Sequence, residues 1–428
     1  MNKSRYWWER ATGVAVAFWV VFCLRLMIAD VWDETNGMLV FSGTAMTLGQ
    51  KLVFGLTEPL GFWRPLPTLV DATVLHFVRD FDLSWRLLRV FNMALLVAAL
   101  TIFVRTLELN GYRRFVFSLA FLFSGSAVIT AGWYANAFDA WVVFLVAVAL
   151  ALLLRGFDLQ AGLLIGVAFF CKESAALAIP FLVVLHAAGR ITRQEALRSG
   201  VPALILGLGY FGFRSLIVQF GGENDIHGFD LHLFLPSLIN LGESFWEQTL
   251  KQPSMVGFFW LVLSLAVLRR PRLIGASLFF LFSTAVVYWG MFSEYQSGIL
   301  IHYLDFVGRL YLVPASLMLF LLALERRTVA MTLLLIPILY GGYFTWQDHA
   351  RFQRTYKRIY QASERITEKP VFVHYPPKTL SDNVRGIRIG GFEDAAIRIE
   401  PVTGELHFFG EAQTPVAPRR ECKVPPAR

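Results

Sequence analysis

Apolar stretches recur along the chain up to about residue 345, separated by short polar segments. They fall at 11–29, 84–104, 115–132, 138–154, 160–171, 174–189, 200–218, 255–268, 273–292, 306–324 and 328–345. Runs of this kind predict membrane-crossing helices, although several are shorter than the ~20 residues that a perpendicular crossing needs. The run at 160–171 is the weakest and borrows residues from the next loop. Basic residues gather between the runs, at 3–10, 105–114, Arg155, 190–198, 269–272 and 326–327. Cytoplasmic loops carry the excess of Lys and Arg in membrane proteins. Placing all six clusters inside requires pairs of crossings between them and gives about eleven transmembrane helices. The N-terminus is then cytoplasmic, and the tail from Trp346 lies outside.

One stretch resists this scheme. Residues 65–80 carry Asp71, His76 and Arg79 in a short segment, and counting them as a crossing would put the 105–114 cluster outside. Together with 35–50 they are expected as helices lying in the outer interface. Longer outer loops are expected at 220–254 and 293–305. The tail changes character, with many charges, Pro376, Pro377 and the alternating runs VFVHY and AAIRIEPVTGELHFF, which predict a few strands. The expected fold is an all-α polytopic membrane domain over 1–345 with outer juxtamembrane helices. A small extracytoplasmic β-rich domain over 346–428 follows it and ends in a disordered tip.

Composition strengthens the membrane reading. Of the 428 residues 56% are hydrophobic and only 16% are charged, against roughly 25% charged in soluble domains. So much apolar surface cannot be hidden in a water-soluble core, and lipid must be the solvent. The net charge of +8 is accounted for by the cytoplasmic loops, so no nucleic-acid partner is expected. Cys23, Cys171 and Cys422 show neither metal spacing nor a paired framework. Lys3, Arg5 and Arg10 precede the apolar run 14–28, but no small-residue cleavage site follows. A retained first membrane helix is expected rather than a cleaved leader.

On this topology the ionisable residues at outer helix ends share one face. The first helix exits into Asp30, Asp33 and Glu34; Trp63-Arg64-Pro65 opens the interfacial segment; Asp139 follows the loop after Gly132; Lys172-Glu173-Ser174 joins two short helices. Arg214 lies near the outer end of the 200–218 helix, and Arg309 with Tyr311 opens the tenth. Singly, each has a structural explanation. Asp33 and Glu34 suit a solvated helix exit, Asp139 a helix dipole, Arg214 and Arg309 snorkelling to head groups. Lys172 and Glu173 could neutralise each other. Jointly they place costly ionisable groups at one depth, which marks a functional site. A carboxylate there can deprotonate an acceptor hydroxyl or hold a metal, while cations stabilise a departing phosphate. Sugar transfer from a lipid phosphate needs both. A transporter or flippase of lipid-linked sugars, or a non-catalytic scaffold, are the alternatives; a transporter calls for inverted repeats and midplane polar groups.

The order of these motifs resembles that of the GT-C glycosyltransferases, which include the lipid A aminoarabinose transferases and the protein O-mannosyltransferases. Asp33-Glu34, then Arg64-Pro65-Leu66, then 133–139, then Phe170-Cys171-Lys172-Glu173-Ser174 with Pro180 behind, carry the likeness. Tyr210 to Arg214 and Gly308-Arg309-Leu310-Tyr311 extend it, so that it spans roughly 1–345. Arg64-Pro65-Leu66-Pro67 lacks the family's doubled proline. The resemblance implies an inverting hexosyl- or pentosyltransferase that uses a polyprenyl-phosphate sugar. Asp33 would be the catalytic carboxylate with Glu34 beside it, and Asp139 the second carboxylate. Arg64 and Lys172 would face the carrier phosphate, with Glu173, Arg214, Arg309 and Tyr311 lining the substrate. A divalent cation, Mg or Mn, stays open, with Asp33 as its ligand. The implied setting is a bacterial inner membrane, and the acceptor an extracytoplasmic glycan, glycolipid or protein.

Overall fold

The computed structural model describes residues 3–26, 47–57, 64–78, 81–132, 137–221, 270–293, 312–336, 338–339 and 343, with four short strands in the tail. The chain divides into two compact units, one of 1–30 and 37–351 and the other of 31–36 and 352–428. In the larger unit the described elements are helices: α1 Lys3–Leu26, α2 Leu48–Thr57, α3 Pro65–Phe77, α4 Phe81–Thr106, α5 Gly111–Leu122, α6 Gly125–Gly132, α7 Ala137–Leu153, α8 Asp158–Ala168, a 3-10 turn Glu173–Leu177, α9 Ala178–Ala187, α10 Arg193–Gly221, α11 Pro271–Ser293, α12 Leu312–Leu324 and α13 over 328–336. In the tail, β1 Val371–His374 pairs antiparallel with β2 Gly386–Ile389, and β3 Ala396–Ile399 with β4 Leu406–Phe409.

Local chemistry sets the helix ends. Thr47 and Gln50 exchange hydrogen bonds ahead of α2, and Thr192 with Glu195 does the same ahead of α10. These are capping boxes that satisfy otherwise orphaned amides. Pro65 starts α3, where its missing N–H costs nothing. The expected single crossing at 115–132 is instead two helices. Ser124 Oγ accepts from the Ala127 amide at 3.2 Å and restarts the chain as α6. The predicted crossing at 255–268 lies outside the described residues.

Among the described residues, three helices are long and apolar enough to cross a membrane, over Tyr6–Arg25, Arg86–Thr106 and Arg193–Leu216. Their outward faces carry Val14 and Phe18, Leu87 and Val90, and Leu204, Ile205 and Leu208, all exposed. The chain therefore has the character of a membrane protein. Inside, Phe103 of α4 meets Phe117 and Phe121 of α5 and Phe320 of α12; Phe181 of α9 meets Phe280 of α11 and Phe320.

One end of this bundle is defined by its turns. Those after α4, α7, α9 and α12 close through the same i to i−5 bond, from Leu109 N to Val104 O, Phe157 N to Leu152 O, Arg190 N to Leu185 O and Arg327 N to Leu322 O. Each passes through a left-handed residue, at Glu108, Gly156, Gly189 and Arg326, the Schellman way of ending a helix. Arg113 and Arg190 donate to the Ala323 and Leu324 carbonyls, at 2.9 and 2.8 Å, where cations suit the helix dipole. Glu325, nearly buried, takes Arg190 at 3.3 Å and Arg270 at 3.5 Å. Four of the six basic clusters thus meet at one end.

Candidate functional site

At the opposite end of α9 lies the turn from α8. Lys172 takes an extended backbone (φ −170°, ψ 150°) and the chain then tightens into the 3-10 turn. Lys172 Nζ lies 2.5 Å from Asp139 Oδ2 on the first turn of α7, and Ser174 Oγ donates to Oδ1 at 3.1 Å. Asp139 is 0% and Lys172 3% exposed. Mutual neutralisation with Glu173 is one alternative the sequence leaves for Lys172; the carboxylate it bonds is Asp139, from another helix.

Glu173 is held by a separate set of partners. Arg214 Nη1 donates to Oε1 at 2.7 Å, Tyr210 Oη donates to the same oxygen at 3.1 Å, and Arg64 Nη2 stands 3.8 Å from Oε2. Burial pushes the Glu173 carboxyl up, but the Arg64 and Arg214 guanidiniums outweigh it and hold the group down at about 2. Glu173 is in the turn between two helices, outside the crossings.

Packing explains how three distant segments reach this turn. Leu66 N donates to Phe170 O at 3.3 Å, which docks the start of α3 on the turn. Arg64, one residue before α3, lies with Cζ 4.5 Å above the Phe138 ring. Tyr210 and Arg214 come from α10, whose approach to α8 depends on missing side chains. A Cβ on Gly162 would fall 2.3 Å from the Ser199 carbonyl oxygen, and one on Gly166 2.6 Å from Leu206 Cβ. Small residues four apart let helix backbones approach closely, and Ser199 Oγ bonds the Asp158 carbonyl across the contact at 2.9 Å.

Of the candidate residues, Arg64, Asp139, Lys172, Glu173 and Arg214 therefore converge on one end of the bundle. Asp33, Glu34, Arg309 and Tyr311 lie outside the described residues. The cations Arg64, Lys172 and Arg214 meet the carboxylates Asp139 and Glu173 there. No group of three metal-ligating side chains occurs among the described residues. Both oxygens of Asp139 are engaged, by Lys172 and Ser174.

Arg89 was missed in the sequence. It is 1% exposed on α4, a helix whose exposed large apolar residues are Leu83, Leu87, Val90 and Phe91. The signal was available: Arg89 and Asn92 stand three apart on the face opposite that apolar stripe. The chain matches no protein-family model, no curated protein and no solved structure. The reading below rests on motif order and on the geometry just described.

Proposed function

We propose that this chain is a membrane glycosyltransferase of GT-C type. It moves a hexose or pentose from a polyprenyl-phosphate carrier to an extracytoplasmic glycan, glycolipid or protein in the inner membrane of a bacterium. The N-terminus and the basic end are cytoplasmic. The Glu173 end, the loop of Asp33 and the 346–428 unit, read as a small β-rich domain, face outward.

The observation that carries the proposal is the charge cluster at the end opposite the arginine turns, with Asp139, Lys172 and Arg64 buried and Glu173 and Arg214 half-buried. Arg64 and Arg214 meet at Glu173 and Lys172 at Asp139, so the cluster gathers cations where the phosphate of a carrier would be bound. In the reaction, the acceptor oxygen bonds the anomeric carbon as the bond from that carbon to the phosphate oxygen breaks. Asp33 takes the acceptor's proton, and the cationic cluster stabilises the charge gathering on the leaving phosphate. Asp139 is assigned to holding Lys172, and Lys172 to the carrier side of the turn.

A carrier-translocating protein is the second reading, favoured by the buried Arg89 and Asn92 on α4. The two separate on one assay. Purified protein given a sugar-loaded carrier releases free polyprenyl phosphate if it is a transferase, and only moves the intact carrier across a vesicle membrane if it is a translocator.

A further inference from the structure

The inward face of α4 carries more than Arg89. Asn92, 2% exposed, has its amide Nδ2 without a hydrogen-bond partner among the described residues, and so has the hydroxyl of Thr130 on α6, 1% exposed. Helices α4 and α6 pack against each other. Two buried polar groups without partners on touching helices are costly.

Phe103 meets Phe117 and Phe121, so α4 at 103 is level with α5 near 119. The helices run in opposite directions through the 107–110 turn. Asn92 lies eleven residues from Phe103, about three turns and ~16 Å away, on the same face. Thr130 stands on α6, beyond the break at Ser124, and α6 packs on α4. Asn92 and Thr130 are therefore carried by two helices in contact. Phe91 also touches Trp141 of α7, with centroids 5.4 Å apart. Both α4 and α7 run toward the basic end, so Asp139 is level with Arg89. Asn92, one turn from Arg89, and the Lys172–Asp139 pair occupy one layer of the bundle.

We infer that Asn92 and Thr130 form a hydroxyl-reading niche that takes the sugar ring of the carrier and sets its specificity. The inference rests on the proposed transferase reading. A carboxamide donor and a hydroxyl, both neutral, suit the hydroxyl oxygens of a sugar, whereas the phosphate goes to the cations of the cluster. Sites built to hydrogen-bond a hydroxyl discriminate strongly, because their own polar groups are left unpaired without it.

The test uses the full chain in detergent, wild type and the Asn92→Leu/Thr130→Val double variant. The probes are undecaprenyl phosphate and undecaprenyl phosphate bearing glucose, mannose or galactose, one at a time. Wild type should bind at least one sugar-loaded probe about tenfold or more tighter than the bare carrier. The double variant should keep its melting temperature and its affinity for the bare carrier, and lose that margin. Thr130→Ser, which keeps the hydroxyl, should retain it. A margin that survives in the double variant, or that wild type shows for none of the three sugars, overturns the inference. A double variant that melts well below wild type assigns the pair to packing instead, and likewise overturns it. Failure of wild type to bind even bare undecaprenyl phosphate strikes the transferase reading itself, and the niche with it.

Discussion

Lys172 Nζ and Asp139 Oδ2 are 2.5 Å apart in an almost fully buried pair that fastens the turn after α8 to the start of α7. Breaking a buried pair from one side strands a charge, typically at a cost of about 3–5 kcal/mol. Lys172→Ala should therefore lower the melting temperature strongly. The Lys172→Met/Asp139→Leu double change should recover most of the loss, since apolar replacement of both partners is often neutral. Thermal unfolding in one detergent measures both. A Lys172→Ala protein as stable as wild type would show that the pair does not hold the turn.

Glu173 gives the fold a pH dependence. Its carboxyl, held at about 2 by Arg64 and Arg214 against an ordinary 4.5, binds a proton more readily when the chain is unfolded. The stabilisation is thus complete above about pH 4.5 and is lost as pH falls toward 2, on the order of 3 kcal/mol across that window. Glu173→Gln should flatten the melting temperature over the same range. An unchanged slope in the variant would contradict the Arg64 and Arg214 pairings.

Gly162 and Gly166 set the spacing that brings Arg214 to Glu173. Gly162→Ala puts a methyl where the Ser199 carbonyl stands, so α10 must shift. Overpacking of this kind costs about 1–3 kcal/mol. The variant should lose stability and, with it, the acid-side pH dependence that Glu173 confers. Retention of that dependence at wild-type strength would mean that α10 had not moved.

The sequence carries some of this arrangement plainly and hides the rest. Apolar runs and basic clusters mark most described helices, because lipid imposes length and charge rules that composition alone obeys. The break at Ser124 is less visible, since a single capping hydroxyl interrupts an otherwise apolar run. The Lys172 partner could not be read at all. Glu173 next door looks like the natural partner on paper and does feel the Lys172 charge, but the carboxylate that Lys172 bonds lies 33 residues away in the chain. Arg89 and Asn92 were hidden by averaging over a window whose outward face is leucine and valine.

Orientation has a natural reporter. Cys23 and Cys171 are buried, and Cys422 lies in the tail. An impermeant thiol reagent on intact cells should label Cys422, while a cysteine in place of Arg155 should label only after permeabilisation. The opposite pattern would put the arginine turns outside and invert the site.

The central claim is that Asp33 and the charge cluster transfer a sugar from a lipid phosphate. Its most direct test follows the release of polyprenyl phosphate from sugar-loaded carrier by purified wild type, Asp33→Asn and Glu34→Gln proteins, with acceptor-bearing membranes present. The account predicts release by wild type, a loss of about 10²–10⁴-fold in a folded Asp33→Asn protein, and a smaller loss in Glu34→Gln. Release by Asp33→Asn at the wild-type rate would contradict the catalytic assignment, and no release by wild type from any loaded carrier would contradict the account as a whole.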